Sequence, residues 1–168
     1  MEIVAKSERI FLKIFDEHDV ESAKNFWGDQ EVMKFCGGAT PFNKLSKVLE
    51  WYRNCHEENG LSVYAVVEKN SGKTIGAAGF NVKESVEEIE LIYHFSKSSW
   101  GKGFASEAAL ACVEFAKLNG NVKKIHAAAD ANNTSSLKVL EKAGLHYLET
   151  RWFEDTEQEE PYYEMNLQ

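Results

Sequence analysis

Gly101 and Gly103 flank Lys102 in the stretch YHFSKSSWGKGFASEAALACVEFA, where an alternating apolar run gives way to an alanine-rich run with helical spacing. A strand that turns into a helix leaves the first helical N–H groups without intrahelical partners. The helix dipole adds partial positive charge at the same end. Glycines there remove the Cβ atoms that would keep a phosphate off the backbone, and Lys97 and Lys102 bring positive charge nearby. The chemistry open to this turn is to hold an anion such as the phosphates of a cofactor. The plainer reading is that the glycines only let the chain turn and pack.

Two known phosphate motifs can be compared with the letters. The Walker spacing of four residues between a glycine and GK[ST] is absent. A dinucleotide site is nearer, because Asp130 ends the next strand and could meet a ribose. However, Ser106 stands where the third glycine would be. Other residues able to do chemistry are Asn133 and Ser136 in NNTSSLKVLEKAG, Glu90 and His94 on the run EIELIYHF, and Glu154 in the acidic FEDTEQEEP. A carboxylate or imidazole could take a proton from an attacking group, although a lone strand histidine and an acidic loop are more often structural and solvated, respectively. Cys36, Cys55 and Cys112 show no metal-ligand spacing, and their odd number argues against a closed disulfide framework, so neither metal nor disulfide is expected.

The elements that must position these groups follow from periodicity. RIFLKIF alternates, and Asp16 then opens a helix burying Val20, Ala23 and Trp27. After CGGATPF, Asn43 opens a second helix with Leu45, Val48, Leu49 and Tyr52 on its inner face. LSVYAVVE and TIGAAGFNV read as a hairpin around an Asn/Gly turn, followed by the strand EIELIYHF and the helix SEAALACVEFAKL with Cys112 in its core face. KKIHAAAD, the helix NTSSLKVLEKAG, and the strands HYLETRWF and PYYEMNL complete the chain. The order β, α, α, β, β, β, α, β, α, β, β predicts an α/β (α+β) fold. Its mixed, mostly antiparallel twisted sheet has about seven strands, with helices on both faces.

With 168 residues and no linker or repeat, the chain reads as one domain spanning residues 1–168. No window approaches a membrane span and the start carries no signal pattern, so a soluble cytoplasmic protein is expected. A net charge of −8 argues against a nucleic-acid partner and accommodates a cationic one.

Taken together, SERIFLKIFDEHD, DQEVMKF, WGKGFASEA and NNTSSLKVLEKAGL resemble the RimJ/RimL-type branch of the GNAT superfamily of acetyl-CoA-dependent N-acetyltransferases. The resemblance covers nearly the whole chain and implies central strands that splay apart. It also implies a cofactor, acetyl-CoA, whose pyrophosphate lies on the turn formed by Trp100, Gly101, Lys102, Gly103, Phe104 and Ala105. Trp100 takes the place of the usual Gln or Arg. Pantetheine would run between IYHF and HAAAD, with backbone groups from His94 and Phe95 and a side-chain contact from Asn133. A backbone N–H near His94 or Phe95 would face the developing oxyanion.

The implied reaction is direct attack of a primary amine, from a protein N-terminus or a small molecule, on the thioester. Many relatives carry a tyrosine where this chain has Leu140. The acid is therefore expected at Ser136, which could instead only help cap its helix, and the base at Glu90 or Glu154. A non-catalytic acetyl-CoA-binding or regulatory domain is the rival expectation, and a nicotinamide-type site stands third. By analogy the chain could form a homodimer through an exposed edge strand such as PYYEMNL.

Overall fold

Covering a sheet on both sides requires strands that are apolar on both faces, and Val63–Glu68 (β3) supplies the pattern. Tyr64 and Val66 enter one core while Val63 and Ala65 enter the other. The computed structural model describes residues 1–167 of the chain. In it Ile3–Lys6 (β1) and Ile10–Lys13 (β2) lead through a 3₁₀ turn at Glu17–Asp19 into the short helix Val20–Ala23 (α1) and the helix Phe42–Asn59 (α2). After β3 come Thr74–Asn81 (β4), Glu88–Phe95 (β5), Phe104–Lys117 (α3), Lys124–Ala128 (β6), Thr134–Lys142 (α4), His146–Phe153 (β7) and Gln158–Asn166 (β8).

The eight strands form one sheet in the order β1-β2-β3-β4-β5-β6-β8-β7. Every neighbouring pair is antiparallel except β5 with β6. Helices α3 and α4 cover one face around Phe80, Ile89, Ile125 and Leu140. Helix α1, the turns after it and α2 cover the other face around Phe15, Phe26, Leu45 and Leu49. The mixed sheet with helices on both faces is as the sequence predicts.

Several expectations are corrected. The strand count is eight, because the short Ile3–Lys6 segment pairs with β2 through its backbone despite a weak apolar signal. Asp16 caps the 3₁₀ turn by accepting from the His18 N–H, and the helical run stops at Ala23. Ala23 and Trp27 are still buried as the helical spacing required. Helix α2 begins at Phe42 with Pro41 in the cap position, not at an Asn43 cap, and it ends on the left-handed Gly60. PYYEMNL lies within the internal strand β8, so the edges are β1 and β7.

Strands β5 and β6 set up the site. They pair only from Glu88 to Glu90 with Lys124 to His126. Strand β5 continues along β4 as far as Phe95 opposite Gly76, whereas β6 turns to pair with β8. From Leu91 onward the two strands splay and leave a gap in the middle of the sheet. Gly76 makes the β4 side of this possible, because a Cβ there would collide with the His94 carbonyl and the Phe95 ring.

Candidate active site

A cavity of about 900 Å³ occupies the gap. One wall is the strand-to-helix turn. Gly101 and Gly103 have φ of 74° and 81°, the left-handed region that glycine enters without strain. Gly103 is the N-cap of α3 and offers no side-chain cap. Among the described residues, the backbone N–H groups of Gly101 to Ser106 donate to no acceptor within the chain. That run of unpaired donors at the positive end of a 14-residue helix forms an anion cradle. Gly101, Gly103, Phe104 and Ala105 all line the cavity.

The cradle is braced from below by a residue that carries no motif. Arg9, just before β2, donates from Nε to Glu107 Oε1 at 2.7 Å and from Nη1 to the Lys102 carbonyl at 2.8 Å. Its guanidinium also stacks on Phe104, 4.3 Å from the ring centre. Partial burial pushes the Glu107 carboxyl up, but hydrogen bonds from Ser7 and Arg9 outweigh it and hold the group below its ordinary value. Lys102 has no ion pair within the described residues, so its ammonium remains available to an anion. Lys97 instead lies 3.5 Å from Asp29 and 3.9 Å from Glu31.

Next to the cradle, Trp100 Nε1 donates to the Phe95 carbonyl at 2.9 Å and so ties the end of β5 to the turn. The His94 carbonyl faces β4 and Gly76, and ladder alternation therefore turns Phe95 and Tyr93 toward the gap. The gap-facing backbone is thus that of Tyr93 and Phe95, not of His94. The Phe95 carbonyl is already committed to Trp100.

Asn133 caps α4, its Oδ1 accepting from the Ser136 N–H at 3.3 Å and from Ser135 Oγ at 3.3 Å. Its amide NH₂ has no partner among the described residues and borders the cavity. Ser136 contributes its backbone to that cap, while its hydroxyl lies 3.0 Å from the Tyr93 phenol. Tyr93 also donates to the Ser136 carbonyl at 2.8 Å. Burial pushes the Tyr93 phenol well up, against the opposing effect of its bond to Ser136. Leu140 is 1% exposed and presents no polar atom.

The opposite wall is acidic. Glu90 stands where β5 and β6 part, with Oε1 accepting from Asn81 Nδ2 at 3.0 Å and 3.9 Å from Lys83. Glu154 lies exposed at the tip of the β7–β8 hairpin and does not line the cavity. The hairpin instead turns Asp155, Thr156 and Glu160 inward, because β8 re-enters the sheet after the tip. Glu160 is 6% exposed. Gln158 Nε2 donates to Glu160 Oε2 and to Asp130 Oδ2, both at 2.8 Å. Among the described residues no lysine, arginine or histidine forms an ion pair with Asp130, Asp155 or Glu160. The Thr156 hydroxyl is buried without a hydrogen-bond partner. Glu160 is thus a buried carboxylate that accepts from Gln158 and has no ion-pair partner among the described residues.

His94 also lines the cavity, from the α1–α2 side of the sheet. Trp27 Nε1, which can only donate, lies 3.1 Å from His94 Nδ1 and so fixes the ring proton on Nε2. Burial pushes the imidazole pKa down to about 4, which leaves it neutral at physiological pH. It is a hydrogen-bond donor there and a poor base.

Tyr93, Arg9 and Glu160 are absent from the sequence expectations. Tyr93 shares the apolar face of EIELIYHF with Ile89, Leu91 and Phe95 and carries no motif. Arg9 sits far from the turn in sequence, and Glu160 was one glutamate among several in an acidic run. Only the strand alternation that turns Glu160 inward distinguishes it from Glu159, which is exposed.

Comparison with known proteins adds an independent line. The family model described as acetyltransferase (GNAT) domain matches residues 9–146. An uncharacterized N-acetyltransferase, p20, of Bacillus licheniformis is 28% identical over 138 residues, covering 80% of this chain and 77% of that one. The crystal structure of an acetyltransferase (GNAT family) from Bacillus anthracis superposes with a TM-score of 0.85 at 22% identity, over 96% of this chain and 97% of that one. A Salmonella typhimurium acetyl transferase that modifies the N-terminal serine of ribosomal protein L7/L12 superposes with a TM-score of 0.84 at 16% identity. That match covers 99% of this chain and 100% of the other.

Proposed function

Because the chain belongs to the acetyltransferase (GNAT) family, we propose that it is an acetyl-CoA-dependent N-acetyltransferase of the RimJ/RimL type acting on a cationic primary amine. The observation that carries this is the pairing of two walls across one gap, six backbone N–H groups without an acceptor among the described residues on one side and a buried carboxylate without an ion pair among them on the other. The residues present fit the cofactor: a Cβ at Gly101 or Gly103 would sit at strained φ in the cradle, and Lys102 is free to face phosphate. Acetyl-CoA supplies the activated acetyl group as a thioester.

The chain's own groups divide the remaining work. Backbone N–H groups from Gly101 to Ser106, with Lys102, hold the pyrophosphate, while the Asn133 amide and the gap-facing backbone of Tyr93 and Phe95 hold the pantetheine arm. The Phe95 N–H, turned to the gap, would donate to the thioester carbonyl oxygen as negative charge develops there. Ser136, whose hydroxyl borders the cavity beside Tyr93, would offer that hydroxyl to the departing sulfur.

Glu90, with one oxygen held by Asn81 and the other free, accepts the proton of the attacking amine. Glu160 and Asp130 hold the acceptor's positive charge. An α-amine near pKa ~8 is partly neutral at pH 7, whereas a lysine-like amine near ~10.4 depends more on that proton acceptor. A protein N-terminus and a small polyamine both present such groups.

Leu140 favours a second reading, a domain that binds the cofactor without turning it over, because the position that could hold a hydroxyl is apolar and buried. Thiol release from acetyl-CoA, measured across a panel of cationic, neutral and acidic amines, separates the two. Release dependent on a cationic amine, and reduced in Glu90→Gln, supports the enzyme. Tight binding of acetyl-CoA with no acceptor-dependent release supports the binding domain.

A further inference from the structure

We propose that Tyr93 is a positioning residue that frees the Ser136 hydroxyl to hydrogen-bond the departing sulfur. The inference rests on the acetyl-transfer reading above. Tyr93 has one proton and two acceptors within reach, the Ser136 carbonyl at 2.8 Å and the Ser136 hydroxyl at 3.0 Å. When the phenol donates to the carbonyl, the short contact to Oγ is satisfied by the serine giving its own proton to the phenol oxygen. When the phenol donates to Oγ, the serine proton is released to point into the cavity. The pair therefore has two hydrogen-bond states that differ in the rotation of two O–H bonds.

As the amine nitrogen bonds to the carbonyl carbon, the C–S bond breaks and the sulfur keeps the electron pair. The Ser136 O–H turns to that sulfur, and the Tyr93 O–H turns from the carbonyl to Ser136 Oγ. Both protons stay on their oxygens, and the amine's proton leaves by the carboxylate wall. A thiolate, whose conjugate acid has a pKa near ~8.5, is a weaker base than a phenolate, whose conjugate acid is near ~10, and burial pushes Tyr93 higher still, so transfer of the phenolic proton to the sulfur runs uphill. Hydrogen bonding without transfer is what this pair can supply, and a bond to an ionised group is roughly twice as strong as a neutral one. Tyr93 lies on β5 and Ser136 on α4, so the contact reaches across the splayed strands. Leu140 leaves no other hydroxyl on the inner face of α4 at that level.

The test follows the thiol of bound coenzyme A by its ultraviolet thiolate absorbance from neutral to mildly alkaline pH. It compares the unaltered protein with Tyr93→Phe, Ser136→Ala and the double variant. The thiolate fraction at a given pH should fall about tenfold in either single variant, and no further in the double variant, because Tyr93 acts only through Ser136. Turnover should fall about tenfold with KM for acetyl-CoA held within about twofold. An unchanged thiol titration in Tyr93→Phe, or additive losses in the double variant, overturns the inference and leaves Tyr93 as a strut between β5 and α4. Should Tyr93→Phe fail to fold, Ser136→Ala must still lower the thiolate fraction, and an unchanged value overturns the proposal. Failure of the unaltered protein to bind coenzyme A overturns the acetyl-transfer reading itself, and this inference with it.

Discussion

On the α3 side of the cavity the inward-facing groups belong mainly to the backbone, and on the hairpin side they are carboxylates. The cradle needs only two residues without Cβ atoms, a helix to follow and a brace, and all but the brace are local in sequence. The acidic wall joins Glu90 on β5, Asp130 after β6 and Glu160 on β8, which meet only once the sheet has formed. A wall built from backbone recognises what all members of a chemical class share. A wall built from side chains is free to choose among acceptors. The difference predicts that changes on the two sides separate cofactor affinity from acceptor preference.

The largest effect should come from Gly103→Val. A β-branched residue at φ 81° carries strain of about 1–2 kcal/mol and forces the cradle to rearrange. Affinity for coenzyme A, measured by calorimetry, should drop about 100-fold or more if relief of that strain also removes two or more charge-assisted hydrogen bonds. The nearest neighbour to the new Cβ is a flexible arginine tip at 3.5 Å, so the fold itself should survive. Unaltered affinity in a folded variant would mean that the cradle does not hold the cofactor.

On the other wall, Glu160→Gln should lower kcat/KM for a dicationic acceptor about 30-fold while leaving coenzyme A affinity intact, the loss expected of one charge-assisted contact. It should also raise Tm by a few degrees, because it removes a buried carboxylate that has no ion-pair partner among the described residues. Lower activity together with higher stability is the signature of a group kept for function. If Tm falls instead, Glu160 serves the fold through Gln158.

The sequence carries the cradle and most of the sheet because those features depend on neighbours in the chain. Gly101, Gly103 and the alanine-rich helix announce themselves, and the β5 alternation correctly separates Tyr93 from His94. What sequence spacing does not carry is which glutamate of EDTEQEE turns inward, since that depends on where the hairpin tip falls. With residues 154–157 in the turn, Glu154 points to solvent and Glu160 to the gap. Arg9 is hidden for a related reason, because its partners Lys102 and Glu107 are brought to it only by the pairing of β2 with the rest of the sheet.

His94 sharpens the contrast through pH. Its folded-state pKa, about 4, lies below the ordinary 6.5, so the native protein disfavours the proton that an unfolded chain accepts. Stability is therefore full above pH 6.5 and declines as pH falls through 6.5 toward 4. Allowing for the ring's partial opening to the cavity, the loss should be about 1 kcal/mol by pH 5. Denaturant unfolding at pH 7 and pH 5 checks this, and His94→Gln, which keeps an acceptor for Trp27, should remove most of the slope. Between pH 7 and pH 5 the acceptor-dependent rate should show no inflection from His94, because the folded imidazole stays mostly neutral above its pKa of about 4.

The smallest effect is expected at Glu154. It shares its acidic run with Glu160, and it is the residue of that run to which the family resemblance assigns a base. Its carboxylate is exposed, makes no hydrogen bond among the described residues and lies outside the cavity. A solvated charge there acts on the acceptor only at long range, screened within about 10 Å at ordinary salt. Glu154→Gln should therefore change kcat/KM for a cationic amine by no more than about twofold, and that difference should vanish as salt is raised. A salt-independent loss comparable to that of Glu160→Gln would mean that the hairpin tip folds over the bound acceptor and brings Glu154 to the amine. The acidic wall would then be completed by its substrate, and the division between a backbone wall and a side-chain wall would become one between a preformed wall and one assembled on binding.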